Sequence, residues 1–379
     1  MTQTVLLGDA CSYVTEKISV NDVELADYVS TENLIADKGG LSLASNLPQI
    51  GRVTRFQTGD VLVSNIRPYF KKIWHADREG GASNDVLVFR PSNDNLVHKY
   101  LYYVLKNDKF FDFSAASSGG SKMPRGDKAQ IMKYPVYLPN LETQKKIADI
   151  LGAIDEKIEL NRQMNETLEQ MGQALFRHYF TGNRESETWE DGTVSDIVKI
   201  YSGYAFKRTD FDSDGAFGLV TIKNVQDGSF LPECSDYLSV VPVKAPDYAY
   251  LQTGDVLLSL TGNIGRVCIA YGENLLLNQR VAKLTGSNGQ NSFAYFMFRQ
   301  DEFKQRLISM SRGTAQLNLS PIETKNIKMK LPPASILEKF YCEAEPLFSA
   351  ITENYQQIQT LTTLRDTLLP RLISGKVRV

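Results

Sequence analysis

Gln57-Thr58-Gly59-Asp60-Val61-Leu62-Val63-Ser64 and Gln252-Thr253-Gly254-Asp255-Val256-Leu257-Leu258-Ser259 agree at seven of eight positions, 195 residues apart. Each octapeptide reads as a Thr-Gly-Asp turn leading into a short buried strand. Further matches follow in the same order with a slip of two residues. Leu138-Pro139 answers Leu331-Pro332 and Asn161 answers Asn354, both 193 apart, while Ser118-Gly119-Gly120 lies opposite Arg312-Gly313-Thr314. Ordered self-similarity of this kind marks a repeated unit. The 379 residues therefore read as two copies of one plan, in a chain already long for a single core.

Each copy opens with a globular part of mixed α and β character. Asp60–Ser64, Asp85–Phe89, Asp255–Ser259 and Arg266–Ala270 are short apolar runs between turn signals, hence strands. Leu96–Asn107 and Phe293–Met310 read as helices. Pro139-Asn140 closes the first globular part and Pro332-Pro333 the second. A helix start follows each: Asn140 can cap the first, and Ser335-x-x-Glu338 has the form of a capping box.

The helices then carry a heptad. The first stripe is Ile147, Leu151, Ile154, Ile158, Asn161, Asn165, Leu168, Gly172, Leu175 and Tyr179. The second is Phe340, Ala344, Leu347, Ile351, Asn354, Ile358, Leu361, Arg365, Leu368 and Leu372. Steps alternating between four and three make a coiled-coil seam. The stripes match in length and carry Asn161 and Asn354 at equivalent places, so mutual antiparallel pairing about a pseudo-twofold axis is expected. Packing of each stripe on its own globular part is the competing reading. A buried Asn in such a seam sets register. About 26 residues at ~1.5 Å each give a rod of ~40 Å, which would hold the globular parts about one DNA turn apart, ~34–36 Å. Pro346 reads as a kink or as the first position of the long helix proper. The expected fold is α+β: residues 1–140 and 182–333 form two homologous mixed α/β domains, and residues 141–181 and 334–379 form the two spacer helices.

Composition narrows the function. No apolar run approaches a membrane span. The opening MTQTVLLGDACSY lacks a basic n-region followed by an apolar h-region, so no signal peptide is expected. Cys11, Cys234, Cys268 and Cys342 stand far apart, which fits free thiols in a reducing cytoplasm. Neither they nor His75, His98 and His178 have metal-ligand spacing, so no metal or other cofactor is expected. His178 reads as a helix-surface or partner-facing residue. There is no Asn-Pro-Pro-aromatic tetrad, no glycine-rich methyl-donor loop, no Walker A motif and no Gly-x-Ser-x-Gly elbow, so no catalytic residue is assigned. Asp155-Glu156-Lys157 falls inside the heptad helix and reads as a solvated face rather than a nuclease fragment. With 42 basic and 44 acidic side chains the net charge is −2, unlike most DNA-binding chains. Residues 1–140 hold 16 basic and 15 acidic groups and residues 182–333 hold 16 and 17, so any DNA-facing surface must come from local clustering or from a partner.

The helical stretches carry a resemblance. The run Leu138-Pro139-Asn140-Leu141-Glu142-Thr143-Gln144-Lys145-Lys146-Ile147-Ala148 is followed by the helix ends Ala174-Leu175-Phe176-Arg177-His178-Tyr179-Phe180 and Thr367-Leu368-Leu369-Pro370-Arg371-Leu372-Ile373-Ser374-Gly375. Across its whole length the chain resembles the specificity subunits of type I restriction–modification systems. The resemblance implies two target-recognition domains, each contacting half of a bipartite, interrupted site in double-stranded DNA. It also implies a helical spacer that docks a pair of methyltransferase (modification) subunits, a restriction subunit that joins through that assembly, and no catalysis by the chain itself.

Base edges are read by Arg or Lys at guanine and by Asn or Gln at adenine, and phosphates by cations, hydroxyls and open backbone. The candidates therefore sit in three paired loops. The first is Asn65, Arg67, Tyr69, Lys71 and Lys72, directly after the repeated strand, with Asn263 and Arg266 in its twin. The second is Asn84 against Asn278, Gln279 and Arg280. The third is the glycine loop, with Ser118, Gly120 and Lys122 against Arg312, Thr314 and Gln316. Lys207 and Arg208 add a candidate near the start of the second domain. Solvated turns are the plainer reading of each loop. Three other functions compete: a stand-alone tandem DNA-binding protein, which must grip phosphate unaided; a structural adaptor with no DNA role; and the specificity subunit of a modification-only or phage-defence system.

Overall fold

The computed structural model describes residues 3–49, 51–119, 122–286, 288–311 and 317–379. It divides into two compact units, Met1–Glu156 with Leu361–Val379, and Lys157–Thr360. The division falls inside both long helices, so each unit holds one globular part and a portion of each helix.

In the first unit a four-stranded antiparallel sheet runs in the order Cys11–Tyr13, Val86–Pro91, Val61–Ser64, Ile73–His75. Its twin runs Val198–Ser202, Val281–Gly286, Val256–Ser259, Val267–Ile269. The repeated octapeptides supply the same inner strand of both sheets. Gly59 and Gly254 sit at φ +90° and +94° in the turn before it, a left-handed backbone that glycine takes without steric cost. Asp60 and Asp255 close the turn by accepting from Gln57 N (2.9 Å) and Gln252 N (2.8 Å). Each unit also pairs its first strand with the one before its long helix: Gln3–Leu6 with Pro135–Leu138, and Glu190–Thr193 with Lys328–Leu331.

A second four-stranded sheet departs from strict repetition. Strands Arg52–Phe56, Gly80–Ala82 and Tyr28–Val29 correspond to Tyr250–Leu251, Leu275–Leu277 and Phe217–Val220, with the last pair of each set parallel. The fourth strand lies on opposite edges: Lys17–Ser19 beside Arg52–Phe56, but Tyr237–Leu238 beside Phe217–Val220.

Leu96–Asn107 holds the helix His98–Lys106, and a second helix, Asp108–Ala116, follows it. The stretch 293–310, expected as one helix, is two: Ser292–Phe298 and Asp301–Met310. Gln300 is extended there (ψ 133°), as Asn107 is at the matching break (ψ 138°), so the interruption belongs to the repeat.

The long helices span Leu141–Phe176 and Ala334–Leu372. Asn140 caps the first as expected, its Oδ1 accepting from Thr143 N at 2.9 Å. The capping box at Ser335 does not form. The helix already begins at Ala334, and Pro333 O accepts from Ile336 N (2.9 Å) and Leu337 N (3.1 Å), which places Ser335 inside the first turn. Pro346 neither starts nor ends the helix; the chain stays helical through it. An interior proline removes one helical hydrogen bond at a cost of ~3 kcal/mol, and burial of neighbouring Ala344 and Phe348 offsets that cost.

The two competing readings of the heptads are both realised. In the second unit the helices meet antiparallel: Asn161 reaches Gln357 (3.0 Å), and Asn165 meets Asn354 (2.8 Å) and Ile351 O (3.3 Å). The seam residues also enter the globular cores, Ile147, Leu151 and Leu372 in the first unit and Phe340, Ala344 and Ile351 in the second. Asn161 and Asn354, the expected register pair, are not hydrogen-bonded to each other. In an antiparallel pairing, matching positions of a repeat cross over, so Asn354 meets Asn165 instead.

Asp155 corrects another expectation. It is not a solvated face: its carboxylate receives Tyr103 Oη (2.9 Å), Lys106 Nζ (2.7 Å) and Arg365 Nη1 (3.0 Å). Burial disfavours its charge, but Lys106 and Arg365 outweigh that and hold the carboxyl below its ordinary range. Among the described residues no helix is long and apolar enough to cross a membrane.

Candidate nucleic-acid interface

The inner strands Val61–Ser64 and Val256–Ser259 end at equivalent points, where Ser64 pairs with Val86 and Ser259 with Val281. The chain turns in the same way after both: Ser64 Oγ donates to Ile66 O and Ser259 Oγ to Thr261 O, each at 3.1 Å. The candidate loops leave from these strand ends.

In the first unit three loops meet there. Asn65 N donates to Asp85 O (2.8 Å), Arg67 N to Pro124 O (2.8 Å) and Gly126 N to Asn65 O (3.2 Å). Arg125 bridges to both Ile66 and Gly119, and its guanidinium lies 3.1 Å from Asp85. Asn65 is buried, so its amide stands behind the surface rather than on it. Arg67 adopts φ +49° and lies 6.0 Å over Phe70. Tyr69 and Phe70 are 52% and 39% exposed with centroids 4.8 Å apart, an aromatic pair standing in solvent.

The lysines of this loop are engaged. Lys71 and Lys38 share Asp108 at 2.7 and 2.9 Å, and the hydrogen bond to Asp108 pushes the Lys71 ammonium above its usual value. Lys72 donates to Thr31 O (2.5 Å), and burial pulls its pKa down. Asn84 is exposed and accepts from Lys17 at 2.5 Å. Ser118 folds back onto Ala115 O (2.6 Å). Lys122 is exposed, and its ammonium has no partner among the described residues. Gly120 lies outside the described residues.

The second unit brings four segments together. Thr261 bridges to Asn318, Tyr204 bridges to Asn278, and Gln279 N donates to Tyr204 O at 3.0 Å. Asn278 is buried and accepts from Gln279 N (2.8 Å), so it shapes the turn. Gln279 and Arg280 are exposed, with Arg280 at φ +73°. Asn263 is exposed and, with its amide flipped, accepts from Arg266 at 3.2 Å; Arg266 also reaches Gln226 at 2.5 Å. Lys207 and Arg208 are exposed on the segment that follows Tyr204. Arg312, Thr314 and Gln316 lie outside the described residues.

Sequence reading missed Arg125. Arg125 sits in Pro124-Arg125-Gly126, and extending the glycine loop three residues past Lys122 would have found it. Among the described residues no group of three or more His, Cys, Asp or Glu side chains is placed to hold a metal ion. The arrangement offers amides and guanidiniums at equivalent strand ends of both units, the side-chain chemistry that reads base edges, and in the first unit an exposed aromatic pair beside them.

Residues 49–170 and 186–358 match the family model of the type I restriction modification DNA specificity domain. The MjaIX specificity subunit of a type I restriction enzyme from Methanocaldococcus jannaschii is 29% identical over 76% of this chain and 70% of its own length. The HindI specificity subunit from Haemophilus influenzae is 23% identical over 98% of each chain. The S subunit of the type I restriction–modification system from M. genitalium has a similar fold, with TM-score 0.60 and 16% identity over 98% of this chain and 96% of that one.

Proposed function

The chain belongs to the type I restriction–modification DNA specificity family, and from that premise we propose that each of its units reads one half of a bipartite, interrupted site in double-stranded DNA. The loops after Ser64 and Ser259 and those that close on them, including Lys122, Arg280, Lys207 and Arg208, form the reading surfaces. The long helices dock the methyltransferase subunits, through which a restriction subunit joins. Recognition is this subunit's role and methyl transfer its partners'. Domains bounded at residues 1–140 and 182–333 are the parts that carry the two specificities.

One observation carries this reading. Two copies of a sheet present their loops at the same strand ends, through the same serine-anchored turn, yet fill them with different residues. A shared frame with divergent contents suits two readers of two sequences. Burial of Asn65 and Asn278 assigns those amides to shaping the loops, and leaves Gln279, Arg280, Lys122 and the Tyr69–Phe70 pair to make contacts.

The test is genome-wide mapping of methylated sites in a host carrying the chain with its methyltransferase subunits. Gln279→Ala with Arg280→Ala weakens recognition of one half-site by ~1–3 kcal/mol per lost base contact and leaves the other half unchanged. Equal methylation at both halves removes these residues from the reading surface.

A further inference from the structure

The two globular parts rest on the long helices through contacts that differ in chemistry around Asp155 and its counterpart. In the first unit Tyr103 and Lys106 both reach Asp155, which also holds Arg365. Counting 193 residues along, or back for Arg365, gives Phe296, Arg299, Phe348 and Gly172. In the second unit these four make no ionic group around the 348 position. Phe348 packs edge-on against Tyr295 at 5.5 Å. Phe296 lies over Gly172 so closely that a Cβ there would come within 2.0 Å of its ring. Arg299 pairs away from Phe348, with Glu169 of the first long helix (3.0 Å) and with Asp227 (2.6 Å).

The substitutions are correlated. Where the helices offer a carboxylate and a guanidinium, the globular part offers a hydroxyl and an ammonium. Where they offer a phenyl ring and a bare backbone, it offers phenyl. Lys106 is almost fully buried, so without Asp155 its ammonium would lie unpaired in the interior. Tyr103 at the second position would lose its carboxylate acceptor, because Phe348 stands where Asp155 does. Phe296 at the first would meet the Arg365 side chain where it now meets Gly172.

We propose that each recognition domain is keyed to its own seat: a polar seat at Asp155 and Arg365 that takes a domain bearing Tyr and Lys, and an apolar seat at Gly172 and Phe348 that takes one bearing Phe. The keys lie outside the reading loops, so they govern which domains can be carried at each position independently of the bases those domains read.

The experiment is an exchange in the full chain. Residues 182–333 replace residues 1–140, joined at the matching Leu-Pro, either on unaltered helices or with Asp155→Phe and Arg365→Gly. On unaltered helices the chimera melts below the natural chain and, with its methyltransferase subunits, fails to methylate a site built from two copies of the second half-site. The two seat substitutions raise its melting temperature by ~5 °C or more and restore that methylation. A chimera that melts equally with and without them overturns the proposal; a rise in melting without methylation leaves the seats standing and counts against the DNA-reading role instead. Should neither chimera fold, the natural chain decides. The melting loss from Asp155→Phe with Arg365→Gly must shrink when Tyr103→Phe is added, and simple additivity overturns the keyed seats.

Discussion

Replacing Asn354 by Leu separates the seam's two tasks, stability and register. Asn354 Nδ2 donates to Asn165 Oδ1 at 2.8 Å, and both residues are at least 94% buried. The leucine keeps the branched outline of the asparagine in a larger side chain but leaves the Asn165 oxygen without its donor. A buried polar atom stripped of its partner costs ~1–3 kcal/mol, and Asn165→Leu does the same to the Asn354 amide. With both replaced, no polar side chain of the pair is left to satisfy, and the seam gains two apolar side chains. The double variant is therefore as stable as the natural chain or more so, and the two changes couple by about 2 kcal/mol or more in a double-mutant cycle. Urea unfolding in a Trp74→Phe background measures this, because Trp189 then reports from the second unit alone. Stability gained this way comes with weaker register, since an apolar seam no longer resists slippage. Methylation by the double variant should thus spread to sites of altered gap. Strictly additive losses, with the double variant the least stable of all, would refute the reasoning.

Three further outcomes are expected. Pro346→Ala restores a helical hydrogen bond at an exposed position and raises stability by up to ~3 kcal/mol; an unchanged melting temperature means the helix has already absorbed the defect. Asp155 has a folded-state pKa below its unfolded one, so its contribution is full above pH ~4 and is lost as pH falls through the lower folded value. Asp155→Asn is accordingly less stable at neutral pH and loses less on acidification, and parallel acid profiles for both proteins would count against the network. Finally, among the described candidate residues the exposed cations without a partner are Lys122, Lys207, Arg208 and Arg280. At ~0.9 per neutralised phosphate, these four account for a log–log salt slope of about −4 in the chain alone. Its methyltransferase subunits should steepen that slope, and a slope near −10 for the isolated chain would favour a self-sufficient DNA-binding protein.

Repetition made most of the architecture legible. The Thr-Gly-Asp turn, the inner strands, the Leu-Pro boundary and both long helices stand where the matched segments put them. Features lacking a twin were harder to read. The opposite edge strands Lys17–Ser19 and Tyr237–Leu238 have no matching partner in sequence. The start of the second long helix went astray because Ser335 and Glu338 satisfy a capping rule that Pro333 pre-empts two residues earlier. Asp155 was misread for a physical reason: a carboxylate beside a seam looks solvated until Lys106 and Arg365 arrive from distant parts of the chain.

The reading loops show where residue identity stops being informative. Asn65 and Asn278 have the donor and acceptor pair that suits adenine, and the same pair suits a backbone turn. Their neighbours decide between the two uses. Asn65 and Asn278 each directly follow a paired strand, so loops close over both and bury them. Gln279 and Arg280, one and two residues beyond, stand in solvent. The cations divide in the same way. Lys71, Lys72 and Arg125 are tied to groups within the fold and so hold the loops in place before any ligand arrives. A net charge of −2 is then compatible with DNA recognition, because phosphate grip and base discrimination are separable tasks. A subunit that leaves most of the grip to its partners can devote its few free cations and amides to discrimination.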